Sequence, residues 1–377
     1  MTSPPRRIGL LTGGGDCPGL NAVIRGFTRT ARGRHGVTVV GIEDGFEGLY
    51  EGRMRELDYG EVAGLVGEGG TVLGTSNKGD PWHYPRVGAD GKLEITDVSA
   101  RILERIREAR LDALVVVGGD GSMHISQRLI ALGVPVVGVP KTIDNDLSAT
   151  DTTFGFDTAV SIVSEAIDRL TTTASSHHRV MVIEVMGRYA GWIALAGGMA
   201  GGADTILLRE IPFHWESVFR HVRHRAMRGR RFSIVCVAEG AILPEGGEVL
   251  KGLDERRTDA KQLGGIGAVI AQRIEAGTGL ETRVTVLGHL QRGGTPTAYD
   301  RILATRFGVA AAECVCRGES GVMVALRGTD IVTVPIAEAI ATLRTVPPDH
   351  PLVMAARAVG TRFGDETVAP DPAERSA

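Results

Sequence analysis

The feature that most constrains this chain of 377 residues is where its glycines fall: 52 of them, about twice the usual share of roughly 7%, gathered into a few clusters. Short apolar runs end in loop clusters that lead into helical stretches. Arg7–Leu11 runs into Thr12-Gly13-Gly14-Gly15-Asp16-Cys17-Pro18-Gly19, Ala113–Val117 into Gly118-Gly119-Asp120-Gly121-Ser122, and Val134–Val139 into Pro140-Lys141-Thr142-Ile143-Asp144-Asn145-Asp146. After the first cluster Leu20, Val23, Ile24 and Phe27 recur at helical spacing, and Asp157–Leu170 carries Val160, Val163, Ile167 and Leu170 on one face. Ile102, Ile106 and Ala109 mark another helix. Val37–Ile42, Arg179–Val185, Phe232–Ala238 and Glu281–Leu287 are further strand candidates. Runs that are apolar throughout suit parallel strands covered on both faces. Their alternation with helices predicts a doubly wound α/β architecture. At about 150 residues per domain the length suggests two or three domains. Asn77–Thr96, rich in Gly, Pro, Asp and Lys, reads as a surface loop, and the tail from Asp365 as frayed.

Composition narrows the function classes. Lys+Arg total 42 and Asp+Glu 45, a net charge of −3, which argues against a sequence-nonspecific nucleic-acid binder. With 43% hydrophobic and 23% charged residues, wholesale disorder is excluded. Cys17, Cys236, Cys314 and Cys316 lack metal-ligand spacing and read as the reduced thiols of a cytoplasmic protein. The apolar run Ile8–Leu11 is too short for a signal peptide, and no stretch is long enough for a membrane span.

In open α/β sheets ligands gather where strand ends lead into helix N-termini. Glycine there lets backbone N–H groups approach a polyphosphate. The clusters match neither the G-x-x-x-x-G-K-[ST] nor the G-x-G-x-x-G pattern. Asp120, Asp144 and Asp146 beside such loops would repel an anion unless Mg²⁺ bridges them. Asp144 and Asp146 have a second reading, as a helix cap or an Asx turn.

Taken in order, Leu11-Thr12-Gly13-Gly14-Gly15-Asp16, Gly118-Gly119-Asp120-Gly121-Ser122, Pro140–Asp146, Glu184-Val185-Met186-Gly187-Arg188 and Gly288-His289-Leu290-Gln291-Arg292-Gly293-Gly294 resemble the phosphofructokinase family. The ordered matches span roughly Arg7 to Gly308. Gly-Gly-Asp-Gly alone also occurs in NAD kinases and diacylglycerol kinases; the later motifs carry the resemblance. It implies two Rossmann-like doubly wound domains with mostly parallel sheets and the active site in the cleft between them. The nucleotide-binding domain would take 1–155 plus 291–341, and the fructose 6-phosphate-binding domain 156–290 plus 342–377. The implied reaction moves the γ-phosphoryl of ATP to the C1 hydroxyl of fructose 6-phosphate in glycolysis, with Mg²⁺ as cofactor.

The resemblance also implies roles. Asp144 becomes the general base on the C1 hydroxyl, and Thr142, Lys141 and Arg188 surround the transferred phosphoryl. Asp120 is the metal ligand, with Asp146 its neighbour. Gly15, Lys78, Gly119, Asp120, Gly121 and Ser122 face the nucleotide. Thr142, Ile143, Asp144, Arg179, Met186, Gly187, Arg188, Glu239, Arg283, His289, Leu290, Gln291 and Arg292 face the sugar phosphate, the arginines as planar forks for phosphate. Without the motif, His289 would read as a core histidine and Arg283 as an exposed strand residue. In the family Arg179 and Arg283 act across a subunit interface, which implies a homodimer or homotetramer.

Departures from the pattern bear on regulation and donor. Arg25, Arg29, Arg228, Arg230 and Arg231 match effector-binding positions in kind, but Thr171 stands where another effector arginine is expected, and the basic stretch 220–231 reads equally as a solvated helix face. Asn77 and Lys78 occupy the place of a nucleotide-contacting arginine. Gly121 and Lys141 set donor choice: diphosphate users carry Asp at the first place, whereas Gly leaves room for the nucleotide, as in an ATP-using, mixed-substrate-like branch. Lys141 is also shared with diphosphate users. The alternatives are a diphosphate-dependent phosphotransferase and a non-catalytic sugar-phosphate sensor.

Overall fold

The computed structural model describes residues 5–87, 92–230, 232–253 and 261–366. They fall into two compact units. The first holds 5–158 and 292–344, and the second 159–253, 261–291 and 345–366, within these limits.

The first unit is built on a seven-stranded sheet. Its spatial order is Asp330–Pro335, Val322–Arg327, Val136–Pro140, Ala113–Gly118, Arg7–Thr12, Thr38–Ile42 and Met54–Leu57. The five inner strands pair in parallel and only the two edge strands are antiparallel. The inner strands bury nearly every residue, Ala113–Gly118 without exception, as the unbroken apolar runs require. The register Leu11 to Val116 and Val116 to Gly138 brings three strand ends level, so that the loops after Thr12, Gly118 and Pro140 emerge side by side.

Helix Leu20–His35 packs against helix Ala298–Cys316 at glycine contacts. A Cβ on Gly26 would lie 2.8 Å from the Thr305 carbonyl oxygen, and one on Gly308 2.5 Å from that of Val23. Both positions need the missing side chain.

The second unit carries a four-stranded, fully parallel sheet in the order Thr282–Val286, Val180–Val185, Ser233–Ala238, Thr205–Leu207. Its core packs Val182, Val235 and Val237 against Ile266, Ile270 and Ile274 of helix Ile266–Thr278. Glu184 is buried in the central strand, where its carboxylate accepts from the Gly265 and Gly267 N–H groups at 3.0 and 2.8 Å and so caps that helix.

Three expectations change. Residues 77–96 are not all loop: Tyr84–Val87 pairs antiparallel with Leu93–Thr96, and Arg128 lies 3.8 Å from the centre of the Trp82 ring. The loop composition concealed strands too short for a clear period. Asp120, Gly121 and Ser122 do not belong to a loop but form the first turn of helix Asp120–Ala131. Thr282–Val286, within the strand candidate Glu281–Leu287, is not covered on both faces: it exposes Arg283, Val284 and Val286 because it is a sheet edge. Arg231 and the tail from 367 lie outside the described residues. Among the described residues no helix is long and apolar enough to cross a membrane.

Candidate active site

In the first unit the three loops are stitched by backbone hydrogen bonds. Gly13 N–H donates to Val117 O at 2.9 Å, Lys141 N–H to Gly118 O at 2.9 Å, and Gly14 N–H to Ser76 O at 3.2 Å. Thr75 Oγ1 lies within bonding distance of Thr12 O and Gly14 O, at 3.1 and 2.5 Å. Gly13 and Gly118 are needed because Ser122 packs over both: a Cβ there would stand 2.7 Å from its Oγ and 2.3 Å from its Cβ, respectively. Part of the glycine signal is therefore close packing of the helix start onto the strands. At Gly15 the space is taken by Arg292, whose guanidinium donates to Asp16 O at 2.8 Å. Arg292, expected at the sugar phosphate, is thus brought to the Gly15–Asp16 loop.

Lys141 is 4% exposed, and its ammonium donates to the Gly15 carbonyl. Burial pulls its pKa down to about 8. Gly121 is exposed in the first helical turn. Asp120 beside it is partly buried, which raises its pKa, and its Oδ2 lies 3.3 Å from His124 Nδ1 one turn on. Lys78 is exposed, its backbone N–H donating to Ser76 Oγ at 3.1 Å. It rims an open depression of about 410 Å³ with Asp44, Glu47, Thr75, Ser76 and Asn77. Asp44 and Glu47 had no motif to announce them.

The Thr142–Asp146 loop is fixed from within. Asp144 N–H donates to Thr142 Oγ1 at 3.0 Å, and Thr153 donates through N–H to Asn145 Oδ1 at 3.1 Å and through Oγ1 to Thr142 O at 2.7 Å. Asn145 spans the loop to Thr153, and no helix begins between Asp146 and Phe156, so neither aspartate caps one. Ile143 is fully buried. Asp146 is 8% exposed, and burial pushes its pKa up to about 7, with the charges of Asp144 and Asp120 adding to the rise. Asp146 thus lies within electrostatic reach of Asp144 and of Asp120. Among the described residues no group of three or more acidic, His or Cys side chains forms a metal cage. This donor set suits Mg²⁺, which takes one or two carboxylates and completes its shell with water and substrate phosphates.

In the second unit Glu281 joins two expected arginines. Arg179 Nε is 2.9 Å from its Oε2, and Arg283 donates to its Oε1. Arg179 and then Arg283 hold the Glu281 carboxyl below its ordinary range. The sequence reading missed Glu281, although it lies two residues before Arg283. Arg188 donates to the Lys261 carbonyl and lies 5.5 Å from the Tyr189 ring centre. Gly187 adopts φ 135°, and its carbonyl accepts from Gly240 at 3.1 Å, beside Glu239 at the end of strand Ser233–Ala238. Gln291 is fully buried: its Oε1 accepts from Met186 N–H at 3.3 Å and its Nε2 donates to Gly288 O at 3.1 Å. Gln291 thus holds the loop that presents Met186 and Gly187. His289 is exposed, not a core histidine, and Leu290 beside it is 68% exposed.

Of the suggested effector arginines, Arg29 lies 5.5 Å from the Tyr59 ring centre in the first unit, near Arg25 on the same helix. Arg228 and Arg230 are exposed after helix Trp215–Met227 of the second.

Residues 7–315 match the family described as phosphofructokinase. The chain is 53% identical over 367 residues to an ATP-dependent 6-phosphofructokinase of Chloroflexus aurantiacus, covering 97% of this chain and 100% of that one. It is 51% identical over 345 residues to a pyrophosphate–fructose 6-phosphate 1-phosphotransferase of Amycolatopsis methanolica, covering 91% and 97%. Among solved structures, the phosphofructokinase of Pichia pastoris in the T-state superposes with a TM-score of 0.74 at 32% identity; the match covers 90% of this chain but spans only 36% of that longer one.

Proposed function

The chain belongs to the phosphofructokinase family, and we propose that it is an ATP-dependent 6-phosphofructokinase. It converts fructose 6-phosphate and ATP to fructose 1,6-bisphosphate and ADP, a glycolytic step in the cytoplasm. The observation that carries the reading is the layer of strand ends in the first unit: Gly121 exposed beside Asp120, with Asp144 and Asp146 on the loop after the adjacent strand.

Asp144 accepts the proton of the C1 hydroxyl as that oxygen attacks the γ-phosphorus; the bond to the β,γ-bridging oxygen breaks and ADP leaves. Thr142, whose Oγ1 receives the Asp144 N–H, fixes the base. Arg188 exchanges a carbonyl partner for the equatorial oxygens of the moving phosphoryl group. Asp120, with Asp146 in reach, would hold Mg²⁺, which would supply positive charge to the donor phosphates. Gly15, Gly119, Gly121, Ser122 and Lys78 face the nucleotide. Lys141, tied to the Gly15 carbonyl, holds the loop shape and supplies positive charge beneath it. Arg179, Arg283 and His289 take the 6-phosphate, and Met186, Gly187 and Glu239 the sugar, with Ile143, Leu290 and Gln291 shaping the pocket, while Arg292 stays with the Gly15–Asp16 loop.

We assign Arg179 and Arg283 to the site of a neighbouring copy in a homodimer or homotetramer. Both are partly exposed, and both are held by one carboxylate that an incoming phosphate can replace. A fully active monomer in sedimentation would contradict this assignment. The function itself is tested by ³¹P NMR of fructose 6-phosphate with Mg²⁺ and ATP. A new C1 phosphomonoester and ADP support it; binding without product would make the protein a sensor.

A further inference from the structure

The loop that carries Asp144 contains two residues in a backbone conformation that side chains disfavour. Asn145 has φ 53° and Ala149 φ 62°. Asparagine tolerates the left-handed region; alanine has no polar group to compensate there. Such conformations persist only where the surroundings over-determine them.

The surroundings here come from nearly 200 residues away in the chain. Arg344 N–H donates to the Asp146 carbonyl at 2.8 Å, Leu343 pairs with Leu147 in an antiparallel bridge, and Ser148 Oγ donates to the Thr342 carbonyl at 2.5 Å. The Arg344 side chain continues along the loop, its Nη1 donating to the Asp151 carbonyl at 2.7 Å. The held stretch, 146–148, lies between the two left-handed residues. Its far end is anchored separately: Asp151 N–H donates to Leu326 O at 2.9 Å, and Thr150 Oγ1 accepts from Leu326 N–H at 3.0 Å.

We propose that residues 342–344 form a strap that holds the Asp144 loop in its strained shape, and that Arg344 is a positioning residue for the reaction. The inference rests on the reading of Asp144 as the base. Arg344 fits the task because it contacts the loop at two carbonyls five residues apart, one through its backbone and one through its guanidinium. Arg344→Ala keeps the backbone bond to the Asp146 carbonyl but removes the guanidinium tie to Asp151; with that tie gone the loop relaxes at Ala149 and moves the Asp144 carboxylate off the hydroxyl, and a misplacement of that kind falls on the chemical step rather than on donor binding.

The test measures kcat, both KM values and the thermal midpoint in the full-length Arg344→Ala, Arg344→Lys, Ser148→Ala and Arg344→Ala/Ala149→Gly proteins, well below their melting temperatures. Arg344→Ala is expected to lower kcat about tenfold with the KM for ATP within twofold, and Arg344→Lys to retain most of kcat. Ala149→Gly, which removes the penalty of the left-handed backbone, should recover at least threefold of the loss in the double variant. Ser148→Ala, a milder cut that keeps the protein folded if Arg344→Ala does not, should cost about threefold in kcat. Wild-type kcat in either Arg344→Ala or Ser148→Ala overturns the proposal. So does a lowered midpoint with kcat unchanged, which is what a merely structural strap would give. Asp144→Asn separates the two claims: if it leaves kcat intact the base assignment fails, whereas if it abolishes turnover while Arg344→Ala does not touch kcat, the strap alone fails.

Discussion

The loops of the first unit and the arginines of the second are built on opposite principles. Lys141 and Asp146 are buried, and the loop they share is tied to its neighbours by backbone bonds between strand ends. Arg179, Arg188 and Arg283 are instead held by partners that a phosphate can replace: the Glu281 carboxylate and the Lys261 carbonyl. Burial lowers the pKa of Lys141 and raises that of Asp146, whereas a guanidinium stays charged. The proposed roles follow this difference. A pre-built floor suits a reaction whose catalysis is mostly positioning and charge neutralisation, and replaceable arginines suit capture and release of an anion.

The comparison is easiest to break on the floor. Asp144→Ala should lower turnover by about 10³-fold or more while fructose 6-phosphate binding, followed by calorimetry, stays within a few-fold; equal loss of both would make Asp144 structural. Gly121→Asp comes next. A carboxylate about 4 Å from a donor phosphate costs on the order of 4 kcal/mol at an effective dielectric near 20, roughly a 10³-fold loss in kcat/KM for ATP. Unchanged ATP kinetics would remove Gly121 from the account.

On the arginine side smaller, binding-type effects are expected. Arg283→Ala should raise the KM for fructose 6-phosphate about 10- to 100-fold with a lesser change in kcat; the reverse pattern would place it with the catalytic floor. Lys141 sharpens the contrast through pH. Its pKa falls from 10.5 to about 8 in the folded protein, so between those values the unfolded chain binds more protons and stability rises with pH. Thermal midpoints from pH 8 to 10 should climb more steeply in the native protein than in Lys141→Met, and parallel curves would contradict the burial argument. The smallest effect is Glu281→Gln: with the competing charge gone, the KM for fructose 6-phosphate should fall about twofold, whereas a rise would mean that Glu281 orients the arginines for substrate.

The same contrast explains what could be read from the chain alone. The inner strands and the loops after Thr12, Gly118 and Pro140 were legible because a strand buried on both faces must be apolar throughout and must end in a turn. Asp120 and Asp144 were legible because carboxylates beside such turns demand an explanation. Glu281, Glu184 and the 342–344 strap were not. An exposed glutamate two residues from Arg283 looks like any surface charge, and a carboxylate that caps a helix 80 residues away leaves no local period. Thr342–Arg344 shares only an isolated β-bridge with its loop, too short to read as a strand. Part of the glycine signal pointed to packing under Ser122 rather than to a ligand.

The most direct test sets the two donors side by side. Initial rates with saturating fructose 6-phosphate and Mg²⁺ are measured with ATP and with diphosphate on the same protein. With Gly121 leaving room for a nucleotide, kcat/KM should be higher with ATP; a higher value with diphosphate would contradict the donor assignment and give Lys141, not Gly121, the decisive role.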